Sequence, residues 1–360
     1  MNTHASTMEG ALPHASRRLG LLRPFSKLMV IAILLLIFFG GQVKSHDAGL
    51  SVPDWPLTYG QNPITYPISE WRGGIFHEHF HRLYAGVVAI MTVFLAIGLQ
   101  LKSPYRWLKS LGWLAVFAVL LQALLGGLTV WYQLPVLVSS SHATLAQTYL
   151  VLIIIIAYGL SREREQRKQS MDVPGRRERW NVIATLALVV IAVLYGQLLL
   201  GALMRHTESG LAIPDFPKTA GRWIPRFDDA TVAWVNDWRW DHGPLASGEQ
   251  LHDVTLGQVV LHFSHRAGGL VVLACALGVL YAAARIRAQR PELWRTALIF
   301  LALTLTQFTL GMFTVWTQKT PLITSTHVMT GAALLGLCVL ILLRAWPIHG
   351  RPGKHTDPVS

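Results

Sequence analysis

The chain has 360 residues and a mean hydropathy of +0.40; 52% of its residues are hydrophobic and only 14% are charged. Soluble domains carry about 25% charge, so this balance excludes an ordinary water-soluble fold and points to lipid as the solvent. The formal net charge of +12 does not indicate nucleic acid, because Lys and Arg cluster in short stretches between apolar runs, which is how membrane topology is encoded.

Eight apolar runs are long enough, or nearly so, to cross a bilayer core that needs about 20 helical residues. They lie near 26–43, 80–101, 108–131, 139–160, 180–203, 257–284, 296–317 and 323–345. The first is short and follows Arg17, Arg18, Arg23 and Lys27, as a signal peptide would, but no small-x-small site ends it. Its counterpart at 180–203 is internal, so both are read as helices. Cys275 and Cys338 sit inside apolar runs without Cys-x-x-Cys spacing, which argues against a zinc site or a loop disulfide.

The basic segments are the N-terminal tail, Lys102 with Arg106, the stretch 161–179, the Arg285–Arg295 segment, and the tail with Arg344, Arg351 and Lys354. With eight helices all of them fall on one side, expected to be cytoplasmic and to hold both termini. The chain then divides into a basic tail (1–25), an N-terminal half (26–160), a basic linker (161–179), a C-terminal half (180–345) and a second tail (346–360).

The halves repeat each other. Gly49-Leu-Ser-Val-Pro-Asp54-Trp-Pro56 returns as Gly210-Leu-Ala-Ile-Pro-Asp215-Phe-Pro217, 161 residues on. His81-Arg82 returns as His265-Arg266, Thr129-Val-Trp131 as Thr314-Val-Trp316, and Ser141-His142 as Thr326-His327, at offsets of 184 or 185. The change in offset places an insertion of about 23 residues in the second long outer loop. Four helices per half is an even number, so both halves enter the membrane from the same side. The predicted fold is therefore an all-α integral membrane protein of eight transmembrane helices, arranged as two tandem parallel four-helix bundles.

Chemistry concentrates in the repeated histidines. His81, His142, His265 and His327 fall one on each even-numbered helix, at similar depth near the outer face. Ionisable groups inside spans are costly and usually functional. Two imidazoles facing each other across a bundle hold haem iron, so His81 with His142 and His265 with His327 form two candidate sites. Zinc is disfavoured because no further Cys, His or carboxylate ligands are at hand.

The sites differ at one place: Glu78 stands three residues before His81, where the second half has His262. A carboxylate beside one haem only can move protons or stabilise developing positive charge; as a bland alternative, it is an acid near a helix N-terminus. Arg82 and Arg266 follow the ligands and are candidates to pair with haem propionates, or to snorkel to the interface. Gln122 and Gln307 are matched and read as interhelical hydrogen-bonders. Trp131 and Trp316 fit an aromatic belt. His262 is a candidate supporting group of its own site, and the unmatched His46, His77, His79, His206, His242 and His252 read as loop or interface residues.

The motifs Glu78-x-x-His81-Arg82, Pro53-Asp54-Trp55-Pro56, Ser141-His142, Ser264-His265-Arg266-Ala-Gly-Gly269 and Thr326-His327 together resemble haem A synthase over about residues 26–345. The outer loop of the first half lacks the cysteine pair of some members, so the chain resembles the cysteine-free branch that includes the mitochondrial enzymes. The resemblance implies an oxidoreductase that converts the C8 methyl of haem o to a formyl group, by successive hydroxylations, giving haem a. It implies that His81 and His142 ligate haem o with Glu78 as essential acid, and that His265 and His327 ligate a haem b cofactor. It further implies a bacterial inner membrane, with haem o synthase upstream and cytochrome oxidase assembly factors downstream. The electron acceptor is not specified by the sequence, and homo-oligomerisation is left open. Two alternatives compete: a bis-histidine di-haem cytochrome b carrying electrons, and a transporter with parallel repeats. Against the first stands the Glu78/His262 asymmetry, and against the second the absence of Gly- or Pro-broken helices at the midplane.

Overall fold

The computed structural model describes residues 19–171, 182–242 and 252–347. Its helices in chain order are α1 (Leu22–Ser45), α2 (Gly74–Lys102), α3 (Arg106–Trp131), α4 (Val136–Gly159), α5 (Arg162–Met171), α6 (Val182–His206), α7 (Asp229–Asp241), α8 (Leu256–Ala284), α9 (Pro291–Trp316) and α10 (Pro321–Ala345). All but α5 and α7 are long and apolar enough to cross a membrane. Their 24–29 residues span about 36–43 Å, more than the ~30 Å hydrocarbon core. Among the described residues there is no strand, only isolated bridges Thr58–Gln61 and Thr219–Arg222.

All eight predicted spans are present, with shifted ends. The largest shift is at α2, predicted from residue 80 and starting at Gly74. The polar run His77-Glu78-His79 lowers hydropathy without breaking the helix, so Glu78 and His81 lie inside α2 rather than at its opening. Pro291 and Pro321 begin α9 and α10, where a missing N–H costs nothing. A full capping box, Thr255 with Gln258, starts α8. The sequence did not indicate α5, inside the predicted linker, or α7, inside the insertion.

Helices α1, α2, α3 and α4 close one four-membered ring and α6, α8, α9 and α10 a second. The rings meet through α1 with α10, α4 with α6, and α4 with α10. That seam makes α10 the central helix: 56% of its apolar window is buried, against 17–33% in the other spans. Glycine lets the backbones close in. A Cβ on Gly41 would stand 2.9 Å from Ser325 Cβ, and one on Gly336 2.5 Å from Ile154 Cδ1. Ile90, Phe94, Phe117, Leu120 and Ile299 remain exposed on the outer faces of the bundle, as lipid contact requires.

The basic end is tied across the halves. Arg344 donates Nε and Nη2 to the two oxygens of Glu163 at 2.8 and 2.7 Å. Arg23 pairs with Glu165 at 2.6 Å and donates Nε to the Leu160 carbonyl. Helix α5 thus clips the start of α1 to the end of α10.

At the opposite end the two loop systems share one backbone. Left-handed residues recur at matched places: Asp47 and Glu208, Tyr59 and Ala220, Gln133 and Gln318, Leu134 and Lys319. Trp55–Pro56 and Phe216–Pro217 are both cis.

Candidate functional site

Each of the four repeated histidines leans on a glycine of the preceding span. A Cβ on Gly40 (α1) would lie 3.1 Å from Cε1 of His81 (α2); on Gly126 (α3), 3.4 Å from His142 (α4); on Gly201 (α6), 3.1 Å from His265 (α8); on Gly311 (α9), 3.2 Å from His327 (α10). Contacts of 3.0–3.4 Å are tighter than nearly all real Cβ contacts, so a side chain there would push the ring away. Imidazoles seated in glycine notches of neighbouring helices have their planes set by the bundle itself. Sequence reasoning missed these glycines, although the signal was present: Gly40 and Gly201 share the 161 offset, and Gly126 and Gly311 the 185 offset.

The rings of His265 and His327 face each other with centroids 6.4 Å apart and planes at 70°. One metal atom with imidazole bonds of about 2.0–2.1 Å on each side spans this gap once the ring radii are added. Among the described residues no group of three or more His, Cys, Asp or Glu side chains gathers to hold an ion. A bis-imidazole donor set inside an apolar bundle suits haem iron, whose macrocycle fills its own equator. In the first half, Nδ1 of both His81 and His142 is buried without a hydrogen-bond partner.

Above each site a loop is buttoned down by the arginine that follows the ligand. Arg82 donates to the carbonyls of Asp54 at 2.7 Å, Val52 at 2.9 Å and Leu57 at 3.3 Å. Arg266 does the same to Asp215 at 2.8 Å, Ile213 at 2.7 Å and Lys218 at 3.1 Å. Their Nη atoms, expected to meet propionates, are thus spent on loop carbonyls. The loop is closed by Asp54, which accepts from Tyr59 N and Gly60 N at 2.8 and 2.7 Å, and by Asp215, which accepts from Ala220 N and Gly221 N at 2.9 Å each. Partial burial pushes the Asp54 carboxyl up, but the Gly60 and Tyr59 amides, with Arg82 nearby, outweigh it and hold it below the usual range.

Glu78 and His262 occupy the same place in this scheme. Glu78 accepts Val52 N at 2.8 Å and pairs with Arg82 at 2.5 Å. Ile213 N stands 3.1 Å from His262 Nδ1 and Arg266 Nε 3.2 Å from its Nε2, and the neutral ring accepts from one of the two. Both side chains are buried. One half performs the loop-anchoring task with a carboxylate and the other with an imidazole.

The loop aromatics complete each lid. Trp55 lies against Gly127 and meets Trp131 edge-on at 5.4 Å; Phe216 meets Trp316 edge-on at 5.9 Å. The matched Trp131 and Trp316, which fit an aromatic belt, therefore also support the loops. The glutamines lie at the ligands: Gln122 Nε2 donates to the His142 carbonyl at 3.0 Å, and Gln307 sits against His327. Of the unmatched histidines, His79 bonds Thr58 in the first loop at 3.1 Å, and His206, at the end of α6, lies within electrostatic reach of His142. His46 stacks on His77 at 3.8 Å and His242 on Trp238 at 4.2 Å.

A family model described as cytochrome oxidase assembly protein, COX15-CtaA, matches residues 66–339. The heme A synthase of Halalkalibacterium halodurans is 24% identical over 89% of this chain and 96% of its own length. That of Shewanella oneidensis is 26% identical over 88% and 94%, and that of Geobacillus thermodenitrificans 23% identical over 92% and 93%. With a match that runs from the first loop into α10, the chain belongs to the COX15-CtaA family of cytochrome oxidase assembly proteins.

Proposed function

We propose that this chain is a haem A synthase: an oxidoreductase that converts the C8 methyl of haem o to the formyl group of haem a by two hydroxylations and loss of water. The observation that carries the reading is the single chemical exchange between two otherwise matched histidine sites. Glu78 beside His81 provides a carboxylate where His262 stands beside His265. A pure electron carrier needs no such difference.

In this reading His81 and His142 hold the substrate haem o, and their glycine seats fix its plane. Glu78 takes or gives a proton on the loop side of that site. Arg82 holds the carboxylate in place and ties the loop across the site, which limits the entry of water. His265 and His327 hold haem b, which when bound supplies a one-electron redox centre. Both termini then lie on the cytoplasmic side of a bacterial inner membrane and both sites near its outer face, a reading supported by the one-sided distribution of Lys and Arg. Haem o synthase supplies the substrate, and cytochrome oxidase assembly receives the product.

The test is haem extraction and chromatography of the purified protein from cells that also make haem o. Haem o or haem a beside haem b is expected, with haem a lost in His81→Ala. Haem b alone, in two equal copies indifferent to haem o supply, would make the chain a di-haem electron carrier instead.

A further inference from the structure

The two long loops fold on one template but end in different chemistry. Both close the same tight hairpin, Thr58 with Gln61 and Thr219 with Arg222. In the first loop the residues around that hairpin are Leu57, Gln61, Asn62 and Thr65. The matched places in the second, 161 residues on, hold Lys218, Arg222, Trp223 and Arg226. Three neutral residues have become cations and an asparagine a tryptophan.

These side chains are not used up in the fold. Lys218, Arg222 and Arg226 are exposed, and Trp223 and Ile224 each keep 72% of their surface open. Asp228 is within electrostatic reach of Arg226 and Arg222, but its carboxylate caps α7 through Thr231 N at 2.9 Å. Asp229 opens α7, where the positive helix end favours an acid. Asp237 and Asp241 lie about 12 and 18 Å further along that helix, beyond the ~8–10 Å over which charge acts through salt solution. The tip at 218–227 is therefore cationic and aromatic.

Its level along the bundle follows from what it packs on. Phe227 meets Phe263 of α8 edge-on, with centroids 5.4 Å apart. Phe263 is seven residues past Leu256, where α8 starts, or about 10 Å into the helix. The 29 residues of α8 span about 43 Å against a hydrocarbon core of ~30 Å, which leaves about 13 Å for the two headgroup layers. A segment packed that far down α8 stands where headgroups meet hydrocarbon, not in bulk water. Leu256 and Val260 share the helix face of Phe263 and are exposed, as lipid contact requires. Phe227 on Phe263 continues that lipid-facing surface into the loop.

We infer that the tip is a membrane anchor that takes the headgroup of an anionic phospholipid, with Lys218, Arg222 and Arg226 on the phosphate and Trp223 and Ile224 at the acyl boundary. Indole favours the headgroup level, and basic residues at the membrane surface add attraction to anionic lipid. The anchor bears on the second histidine site, because Arg266 holds the Lys218 carbonyl at 3.1 Å. The loop that closes over that site is thus tied to the membrane surface as well as to α8. The inference rests on the membrane-spanning helices and does not depend on the haem reading.

The experiment uses the full-length protein in phosphatidylcholine nanodiscs, with phosphatidylglycerol brominated in the upper acyl chain as the probe. The lipid is expected to quench tryptophan emission, and the part of the quenching lost in Trp223→Phe reports the tip. In Arg222→Gln with Arg226→Gln the apparent affinity read from that part should fall by about 10–30-fold, the worth of two basic residues at an anionic surface. Thermal unfolding of the double variant should match that of the parent chain, since both side chains are exposed. Equal quenching of the parent chain and Trp223→Phe would place the tip in water and overturn the inference. An unchanged affinity in the double variant would remove the cations from lipid binding and overturn it as well. Loss of the signal to inorganic phosphate at matched concentration would make the tip a free-phosphate site instead of an anchor.

Discussion

Glu78 has two separable tasks, and the second half of the chain supplies the variant that separates them. Its carboxylate anchors the first loop through Val52 N and Arg82, and in the proposed reaction it also handles a proton. Glu78→Ala removes both. It leaves the Val52 amide without its acceptor and breaks a buried ion pair, a loss of about 3–5 kcal/mol. Glu78→His installs the residue that does the same anchoring at His262, where the imidazole accepts Ile213 N and meets Arg266 Nε. The stability cost should then fall to about 1 kcal/mol, the worth of an ordinary hydrogen bond rather than a charged one. Turnover should still drop by about 10²–10⁴-fold, the usual contribution of a placed acid or base. The assay is thermal unfolding and haem content of each variant, set beside haem a yield per protein in cells making haem o. Normal haem a production by Glu78→His would remove the carboxylate from the chemistry. Equal collapse of Glu78→His and Glu78→Ala would refute the equivalence of the two anchoring schemes.

Two further outcomes follow from the same geometry. Gly40→Ala puts a Cβ 3.1 Å from His81 Cε1 while Gly126→Ala leaves 3.4 Å at His142; with overpacking worth about 1–3 kcal/mol, or 5–150-fold in occupancy, the first should lower haem content in the N-terminal site clearly more than the second, and an equal or reversed effect would sink the seating argument. Asp54 titrates below its ordinary value in the folded loop, so its contribution is complete above the unfolded value of about 3.9 and is lost as pH falls through the lower folded one. Hydrogen-exchange protection of the Tyr59 and Gly60 amides, corrected for intrinsic exchange, should therefore hold between about pH 7 and 5 and fail only in stronger acid; loss of protection already at about pH 6 would contradict it.

Much of this fold was legible because a membrane writes its demands in long, simple runs. Eight spans, their basic ends and the parallel repeat follow from hydropathy, Lys and Arg placement and offsets. The errors fell where polar residues lie inside a helix. His77-Glu78-His79 made α2 look six residues shorter, because hydropathy reports solvent preference while the backbone hydrogen bonds that extend a helix are indifferent to it. Helices α5 and α7 are short and polar and carry no membrane signal. At the sites, the histidines were visible through repetition, but their glycine seats were not, since glycine is common in spans for packing reasons alone. The role of Arg82 and Arg266 depended on where a loop more than 20 residues upstream returns, and local sequence does not encode that return.

One difference between the halves shows how one architecture holds two unlike sites without loss of packing. The larger Trp55 ring lies over Gly127, where the second half sets the smaller Phe216 against a helix that carries Met312. Close-packed interiors tolerate such paired exchanges far better than single ones. The backbone records this tolerance: left-handed residues recur at matched loop positions in both halves despite different side chains, such as Leu134 and Lys319 at φ 60° and 67°. Chemistry can therefore diverge at the ends of the bundle, where side chains from two elements adjust together, while each half keeps its closed ring of four helices.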